Sequence, residues 1–139
     1  MRGFLVDTNV VSEPMRDAPD PRVVAFLSRH DELWLSAIVL HEIAFGLALL
    51  PPGRRREAIE AALTAFVALY EDRILPLGRT EASHAAAMRA RARRSGRVLD
   101  LGDALIAGTA AAHDLAVATR NVRDFQGLGV DVVDPWVVM

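Results

Sequence analysis

Short apolar runs alternate with longer amphipathic stretches along the chain, and this alternation predicts an α/β protein. Five runs are short and aliphatic enough to form buried strands. Between them, apolar residues recur at steps of three and four, which is the spacing of one helical face. Strands that alternate with helices favour a parallel sheet in an α/β sandwich. The predicted strands are Phe4–Val6, Leu33–Ser36, Ile74–Leu77, Leu115–Thr119 and Val130–Val133.

Capping residues and helix breakers set the bounds of the predicted helices. Asp20 stands before Pro21, which is the order expected at a helix start, and Ser36 can cap a helix that runs to about Leu50. The Pro-Pro-Gly turn at residues 51–53 then closes an αα-hairpin. The remaining predicted helices run from Arg54 to about Tyr70, from a cap at Thr80 through Arg97, and onward from Gly102 with Asp100 as the cap.

Composition narrows the classes of function that remain. The 139 residues, 52% of them hydrophobic, suit one domain, residues 1–139, with a buried core. Cysteine is absent, which excludes disulfides, thiolate nucleophiles and Cys-bound zinc. All 16 basic residues are Arg. The lack of Lys excludes a P-loop NTPase and any Schiff-base mechanism.

Charge and hydropathy limit the expected location and partners. The net charge of −2 argues against a protein that coats nucleic acid by charge alone, although it permits a local basic rim. No apolar run approaches the length of a membrane span, and the first residues do not resemble a signal peptide. We therefore expect a cytoplasmic protein with no membrane partner.

Four acidic residues stand at positions where a charged side chain needs an explanation. Asp7 and Asp124 follow the first and fourth predicted strands, where ligands of open α/β sheets collect. Glu42 and Asp103 lie on helices among apolar or small neighbours, where an unpaired carboxylate is costly to bury. Three of these acids also have a plainer explanation when each is taken alone. Asp7 can cap a helix, Glu42 can form a buried salt bridge, and Asp103 suits the positive end of a helix dipole.

Taken together, the four acids predict a metal site. Right-handed crossovers in a parallel sheet can bring all of them to one edge. Four carboxylates that lie so close repel one another and cannot all stay ionised without a compensating cation. Mg²⁺ or Mn²⁺ meets this need, and zinc is less suitable because no His or Cys joins the set. Such an ion activates water and neutralises charge on a phosphoryl oxygen, which indicates phosphodiester hydrolysis.

Several segments of the chain together carry a resemblance to a known family. They are Val6–Val10, Ser36 with Glu42, Asp103–Ala107, and Ala118–Asn121 with Asp124–Phe125. In matching order and over nearly the whole chain, they resemble the PIN-domain ribonucleases, and most of all the VapC and FitB-like toxins of type II toxin–antitoxin pairs. The resemblance implies a PIN-like three-layer α/β sandwich with a central parallel sheet of four to five short strands. It also implies Mg²⁺- or Mn²⁺-dependent cleavage of RNA, a homodimer, and inhibition by a cognate antitoxin protein.

The resemblance further implies roles for individual side chains. Asp7 and Asp103 match the main metal ligands, and Glu42 and Asp124 match the remaining acids of the site. Asp100 matches none of them, so it is either a fifth carboxylate of the site or only a helix cap. The small polar side chains expected beside the acids are Thr8, Asn9 and Thr119.

Two groups of arginines are candidates for an RNA-binding rim. The first group is Arg89, Arg93 and Arg97, which are four residues apart and so predict one stripe along a helix. The second group is Arg54, Arg55 and Arg56, at a helix N-terminus, where positive charge opposes the helix dipole and so contributes little to stability. A solvated face or turn is the plainer explanation of both groups.

Two other functions fit parts of the pattern. A non-catalytic PIN-like module would bind nucleic acid or a partner without cutting it, but the presence of all four acids counts against this function. An aspartyl-phosphate phosphatase would place its nucleophile after the first strand, where Asp7 lies. That chemistry expects a second acid two residues later, where Asn9 stands, and a Lys, which the chain lacks.

Overall fold

A five-stranded sheet, with every pair of neighbouring strands parallel, forms the centre of the computed structural model, which describes residues 3–137. The ends of the predicted domain, residues 1–2 and 138–139, lie outside the described residues. The spatial order of the strands is β3-β2-β1-β4-β5, so the first strand is central. The strands are β1 (Phe4–Val6), β2 (Leu33–Ser36), β3 (Ile74–Leu75), β4 (Ala116–Ala118) and β5 (Val132–Val133).

Every crossover between consecutive strands contains at least one helix, which confirms the predicted α/β architecture. Two short 3₁₀ turns, Glu13–Met15 and Glu71–Arg73, complete the chain path. No helix within residues 3–137 is long and apolar enough to cross a membrane. The helices are α1 (Thr8–Ser12), α2 (Pro21–Arg29), α3 (Ala37–Ala48), α4 (Arg54–Ala68), α5 (Arg79–Arg94), α6 (Leu101–Ala112) and α7 (Val122–Phe125).

The capping residues predicted from the sequence are confirmed at three helix starts and wrong at a fourth. Asp20, Ser36 and Asp100 each accept a hydrogen bond from a backbone N–H of the helix that follows. Thr80, in contrast, is not a cap, because α5 already begins at the preceding residue. The start of α5 is fixed from inside the helix by Glu81, whose carboxylate accepts a hydrogen bond from the backbone N–H of residue 78 at 2.8 Å.

The core is formed by the central strands and by two helices that pack closely on each other. All residues of β1 and β4 are buried. Helices α5 and α6 approach so closely that a Cβ atom at Gly108 would lie 2.6 Å from the backbone nitrogen of Ala85. The small residues of α6 therefore allow the two helices to pack closely.

The apolar neighbours of Glu42 on α3 are not all directed to the core. Phe45 is 60% exposed and Leu49 is 69% exposed, although their spacing predicts a buried face. Glu42 itself is half-buried. The hydrophobic period of α3 is therefore correct, but part of its apolar face remains on the surface.

The predicted arginine stripe on α5 is wrong at its last member. The helix ends at Arg94, and Gly96 then adopts a φ of +82°, in the left-handed region that favours glycine. The backbone N–H groups of Gly96 and Arg97 donate to the carbonyls of Arg93 and Ala92 at 3.0 and 2.9 Å. This is the Schellman pattern of helix termination. Arg97 therefore lies beyond the helix and cannot continue a helical stripe.

Candidate active site

Asp7 lies at the carboxyl end of β1 and is held by three groups. The residue is only 5% exposed. Its Oδ1 accepts a hydrogen bond from the backbone N–H of Thr8 at 2.8 Å, so Asp7 caps α1. Its Oδ2 accepts from Thr119 Oγ1 at 2.7 Å and lies 3.5 Å from the Asn9 side-chain amide nitrogen. Asp7 is therefore a helix cap and also has a carboxylate in a fixed position at the edge of the sheet.

The three small polar side chains expected near the acids all bond within this group. Thr8 Oγ1 donates to Glu42 Oε1 at 2.9 Å, which joins α1 to α3. The Asn9 amide donates to Thr119 Oγ1 at 3.4 Å, and its Oδ1 accepts from the backbone N–H of Arg120 at 3.3 Å. These bonds connect the ends of β1 and β4 and hold Asp7 and Glu42 beside them.

Asp103 lies within the electric field of the other acids. The pKa of Asp103 is raised to about 6, first by burial and then by the negative charges of Asp124, Asp7, Asp100 and Glu42, in that order of size. The side chain is half-buried on the first turn of α6. The structure therefore brings together the four acids that the sequence singles out.

The pKa of Asp7 is raised for the same main reason. Burial is the largest cause, and the charge of Asp124 acts in the same direction. The hydrogen bonds from Thr119 and from the backbone of Thr8 oppose the increase, because they stabilise the ionised form. Two acids of this group thus have a raised pKa, which is the response expected of carboxylates whose charge is not fully compensated.

Asp100, whose role the sequence leaves open, is both a cap and a member of this acidic group. Its Oδ2 accepts from the backbone N–H groups of Gly102 at 3.0 Å and Asp103 at 3.4 Å. A Cβ atom at Gly102 would lie 3.1 Å from Asp100 Oδ2 and 3.7 Å from Glu42 Oε2. Glycine at this position leaves space between two carboxylates that approach from different elements.

The chemistry of the acidic group fits a hard divalent cation. Its donors are carboxylate oxygens, which Mg²⁺ and Mn²⁺ prefer, and their mutual repulsion is what a bound cation would relieve. Within residues 3–137, however, no three His, Cys, Asp or Glu side chains already stand close enough together to hold a metal. A cation held here without any movement of the side chains would therefore bind to one or two carboxylates, with water in its other positions.

The arginines of the candidate rim occupy different environments. Arg54 and Arg55 are exposed at the start of α4, and Arg55 lines a cavity of about 750 Å³. Arg56 is half-buried and donates to the carbonyl of Leu50 at 3.3 Å, so it stabilises the turn between α3 and α4. Arg56 therefore has a structural role that the sequence does not indicate. Arg89 and Arg93 are exposed on α5.

Arg97 makes contacts that the sequence does not predict. Its guanidinium donates to the backbone carbonyls of Arg123, at 3.0 Å, Asp124 and Gln126. These partners are 26 to 29 residues away in the sequence and lie at the end of α7. The only local signal is Gly96, which marks the end of α5 and so separates Arg97 from the helix.

Comparison with known proteins assigns the family. The model of the PIN domain matches residues 4–129. The chain is 38% identical to the VapC ribonuclease Y4jK of Sinorhizobium fredii over 136 residues, and this alignment covers 96% of this chain and 97% of that protein. It is also 38% identical over 136 residues to the toxin FitB of Neisseria gonorrhoeae, with 96% and 98% covered. The crystal structure of FitAcB from Neisseria gonorrhoeae superposes with a TM-score of 0.91 at 38% identity, covering 97% of this chain and 99% of that chain. The chain therefore belongs to the PIN domain family, as its sequence motifs predict.

Proposed function

We propose that this protein is an endoribonuclease and the toxin of a type II toxin–antitoxin pair, and that residues 1–139 form its single PIN domain. The observation that carries the proposal is the acidic group around Asp103, whose pKa is raised by burial and by the charges of four other acids. The names of two relatives, a VapC ribonuclease and the toxin FitB, support the same function. The proposed site acts on RNA in the cytoplasm.

The proposed roles are those that the resemblance to PIN-domain ribonucleases implies, and the positions of the side chains support them. Asp7 and Asp103 would bind Mg²⁺ or Mn²⁺ directly, and Glu42 and Asp124 would orient the attacking water or complete the ligand set. When bound, the ion supplies an activated water and neutralises negative charge on the phosphoryl oxygen. Thr119 keeps the Asp7 carboxylate in place through the 2.7 Å hydrogen bond to its Oδ2.

We also infer that the protein is a homodimer whose activity a small antitoxin restrains. The exposed apolar side chains of the α3–α4 hairpin suit a protein partner, since large apolar side chains left in water favour burial by another surface. Phe45 and Leu49 belong to this surface, and Leu69, which directly follows α4, is 72% exposed. A protein that covered them would bury apolar area that this chain leaves in water.

The experiment that tests the function measures cleavage of RNA by the purified protein with added Mg²⁺ or Mn²⁺. We expect cleavage by the parent protein, none after chelation of the metal, and none for Asp7→Asn or Asp103→Asn, because either change removes a direct ligand. Asp72→Asn is the matched control, since Asp72 is exposed and lies outside the acidic group. Normal cleavage by Asp7→Asn at saturating Mg²⁺ would contradict the assignment of the metal site.

The same assay tests the non-catalytic alternative. A binding module would retain RNA without cleaving it at any metal concentration, and the two Asn variants would bind RNA as the parent does. We expect instead that the parent protein cleaves RNA and that the two Asn variants do not.

A further inference from the structure

Arg97 reaches from the end of one helix to the end of another. The Schellman turn at Gly96 directs the chain away from α5, and the guanidinium of Arg97 then donates to three carbonyls of a different segment. The acceptors belong to Arg123, Asp124 and Gln126. The side chain of Arg97 thus fixes the backbone at Asp124 and on both sides of it.

The segment that Arg97 holds cannot be stable on its own. Helix α7 has four residues and lacks a side-chain N-cap. A single helical turn is unfavourable in isolation, because nucleation fixes several residues for few hydrogen bonds. The last carbonyls of a helix also have no partner within the helix, and an Arg can satisfy them. The guanidinium of Arg97 meets this requirement for α7.

The position of α7 bears on the acidic group, because α7 packs against α6. Asp124 lies on α7, and Asp103 lies on α6. Asp124 is exposed, and its side chain has no hydrogen bond among those found within residues 3–137 that would fix it as Thr119 fixes Asp7. Its place relative to Asp103 therefore depends on the backbone of α7.

We propose that Arg97 is a positioning residue, which acts through the backbone of α7 to hold Asp124 opposite Asp103. The proposal rests on the proposed nuclease function, in which both acids take part. It replaces the expectation from the sequence that Arg97 binds RNA, because the guanidinium of this half-buried residue is already bonded to backbone carbonyls, whereas Arg89 and Arg93 are exposed.

The two roles predict different kinetics. Loss of a positioning residue lowers kcat and leaves KM for RNA and its salt dependence unchanged. Loss of a phosphate-binding residue raises KM and flattens the salt dependence. For Arg97→Ala we expect kcat to fall by roughly tenfold, within the range seen when a supporting partner of a metal ligand is removed. Arg94→Ala, an exposed change at the end of the same helix, is the control. A raised KM with unchanged kcat would overturn the proposal.

A double-mutant cycle with Asp124→Ala tests whether Arg97 acts through Asp124. If it does, Arg97→Ala lowers kcat in the parent but causes no further loss in Asp124→Ala, because the group that it positions is already absent. An equal loss in both backgrounds would overturn the proposal. We expect Arg97→Lys to recover part of kcat, since an ammonium can donate to one or two of the carbonyls but lacks the planar fork.

Hydrogen exchange provides a readout that does not depend on activity. In Arg97→Ala we expect the backbone amides of Asp124 and Gln126, which donate to the carbonyls of Asn121 and Arg123, to exchange at least tenfold faster, while those of β1 and β4 stay protected and the melting temperature changes little. Unchanged exchange at these amides would overturn the proposal even if cleavage fell. If the parent protein proved to have no nuclease activity, the proposed function would fail, and the exchange experiment would still decide whether Arg97 holds α7.

Discussion

Asp7 and Asp124 carry the same chemical group at the same edge of the sheet, but the structure holds them in different ways. Asp7 is buried and accepts hydrogen bonds from residues that are its neighbours in the sequence or on the adjacent strand. Asp124 is exposed on a helix of four residues, and the backbone around it is held by Arg97 from a remote part of the chain. The first acid is fixed by the sheet, and the second depends on a single side chain that reaches it at long range.

Among changes that distinguish the surroundings of Asp7 from those of Asp124, the largest effect is expected at Thr119. Thr119→Val removes the hydrogen bond to Asp7 Oδ2 and leaves the buried carboxylate with one partner fewer. Loss of such a partner costs about 1–3 kcal/mol of unfolding free energy. Because the change also frees Asp7 to rotate, we expect activity to fall by roughly 10- to 100-fold. Chemical denaturation and RNA cleavage measure the two effects, with Thr64→Val on the exposed side of α4 as the control. An unchanged unfolding free energy would show that the bond is not a main support of Asp7.

A smaller effect, on activity alone, is expected at the two less buried acids. Glu42→Ala and Asp124→Ala should each lower cleavage by roughly 10-fold, because each loses a carboxylate of the proposed ligand set. Neither change should unfold the protein, since Glu42 is only half-buried and Asp124 is exposed. Circular dichroism and cleavage rates check both points. If Glu42→Ala lowered the free energy of unfolding but left cleavage by the folded protein unchanged, Glu42 would belong to a structural interaction instead.

The stability of the metal-free protein should depend on pH through Asp103. The pKa of Asp103 is raised from 3.8 to about 6, chiefly by burial, so the folded state binds more protons than the unfolded state between these values. The free energy of unfolding therefore falls as pH rises through this window. Asp103→Asn removes the effect. We expect its melting temperature to exceed that of the parent by a few degrees at pH 8, which corresponds to roughly 1 kcal/mol after allowance for solvent screening of a half-exposed group.

The difference between Asp103→Asn and the parent should shrink as the pH falls from 6 toward 4, because the folded state is then protonated and the unfolded state approaches its own pKa of 3.8. Thermal unfolding in a chelating buffer from pH 4 to pH 8 measures this dependence. A variant that melted below the parent at pH 8 would contradict the assignment, because it would mean that the ionised carboxylate stabilises the fold.

The smallest effect is expected at the exposed arginines. Removal of Arg54, Arg55, Arg89 and Arg93 together should raise KM for RNA and flatten its salt dependence, with a change in slope of roughly 0.7 for each phosphate that is no longer neutralised. Metal affinity should stay the same. Arg97 is excluded from this set, because its guanidinium bonds to the protein. Cleavage kinetics at several salt concentrations decide the point, and an unchanged KM and slope would identify these arginines as a solvated face.

The sequence predicts the centre of the molecule better than its edges, because the signals at the centre are local. β1 is a run of apolar residues that leads directly into Asp7, and both the strand and the cap follow from neighbours in the chain. Arg97 has no such local signal for its partners, which lie 26 to 29 residues further on. Spacing at four residues predicts a stripe only while the helix continues, and Gly96 ends it.

Exposure of an apolar face is also beyond what spacing can tell. The period of α3 correctly predicts a helix, but Phe45 and Leu49 are exposed because the fold leaves that part of α3 uncovered. The spacing of hydrophobic residues is the same whether a helix face packs on the core or is exposed to a protein partner. The sheet, the acids and most of the helix starts are thus predictable, whereas the surface apolar residues and the long-range bonds of Arg97 require the structure.

The close approach of α5 and α6 suggests how the proposed nuclease could be inactivated by a change outside its acidic group. Any side chain at Gly108 would meet the backbone of Ala85 and push α6 away from α5. Because α6 also carries Asp103, with Asp100 as its cap, the displacement would separate these acids from Asp7 without altering one of them. Cells selected for survival of an unrestrained toxin could therefore carry substitutions in this helix seam, in a protein whose acidic residues are all intact.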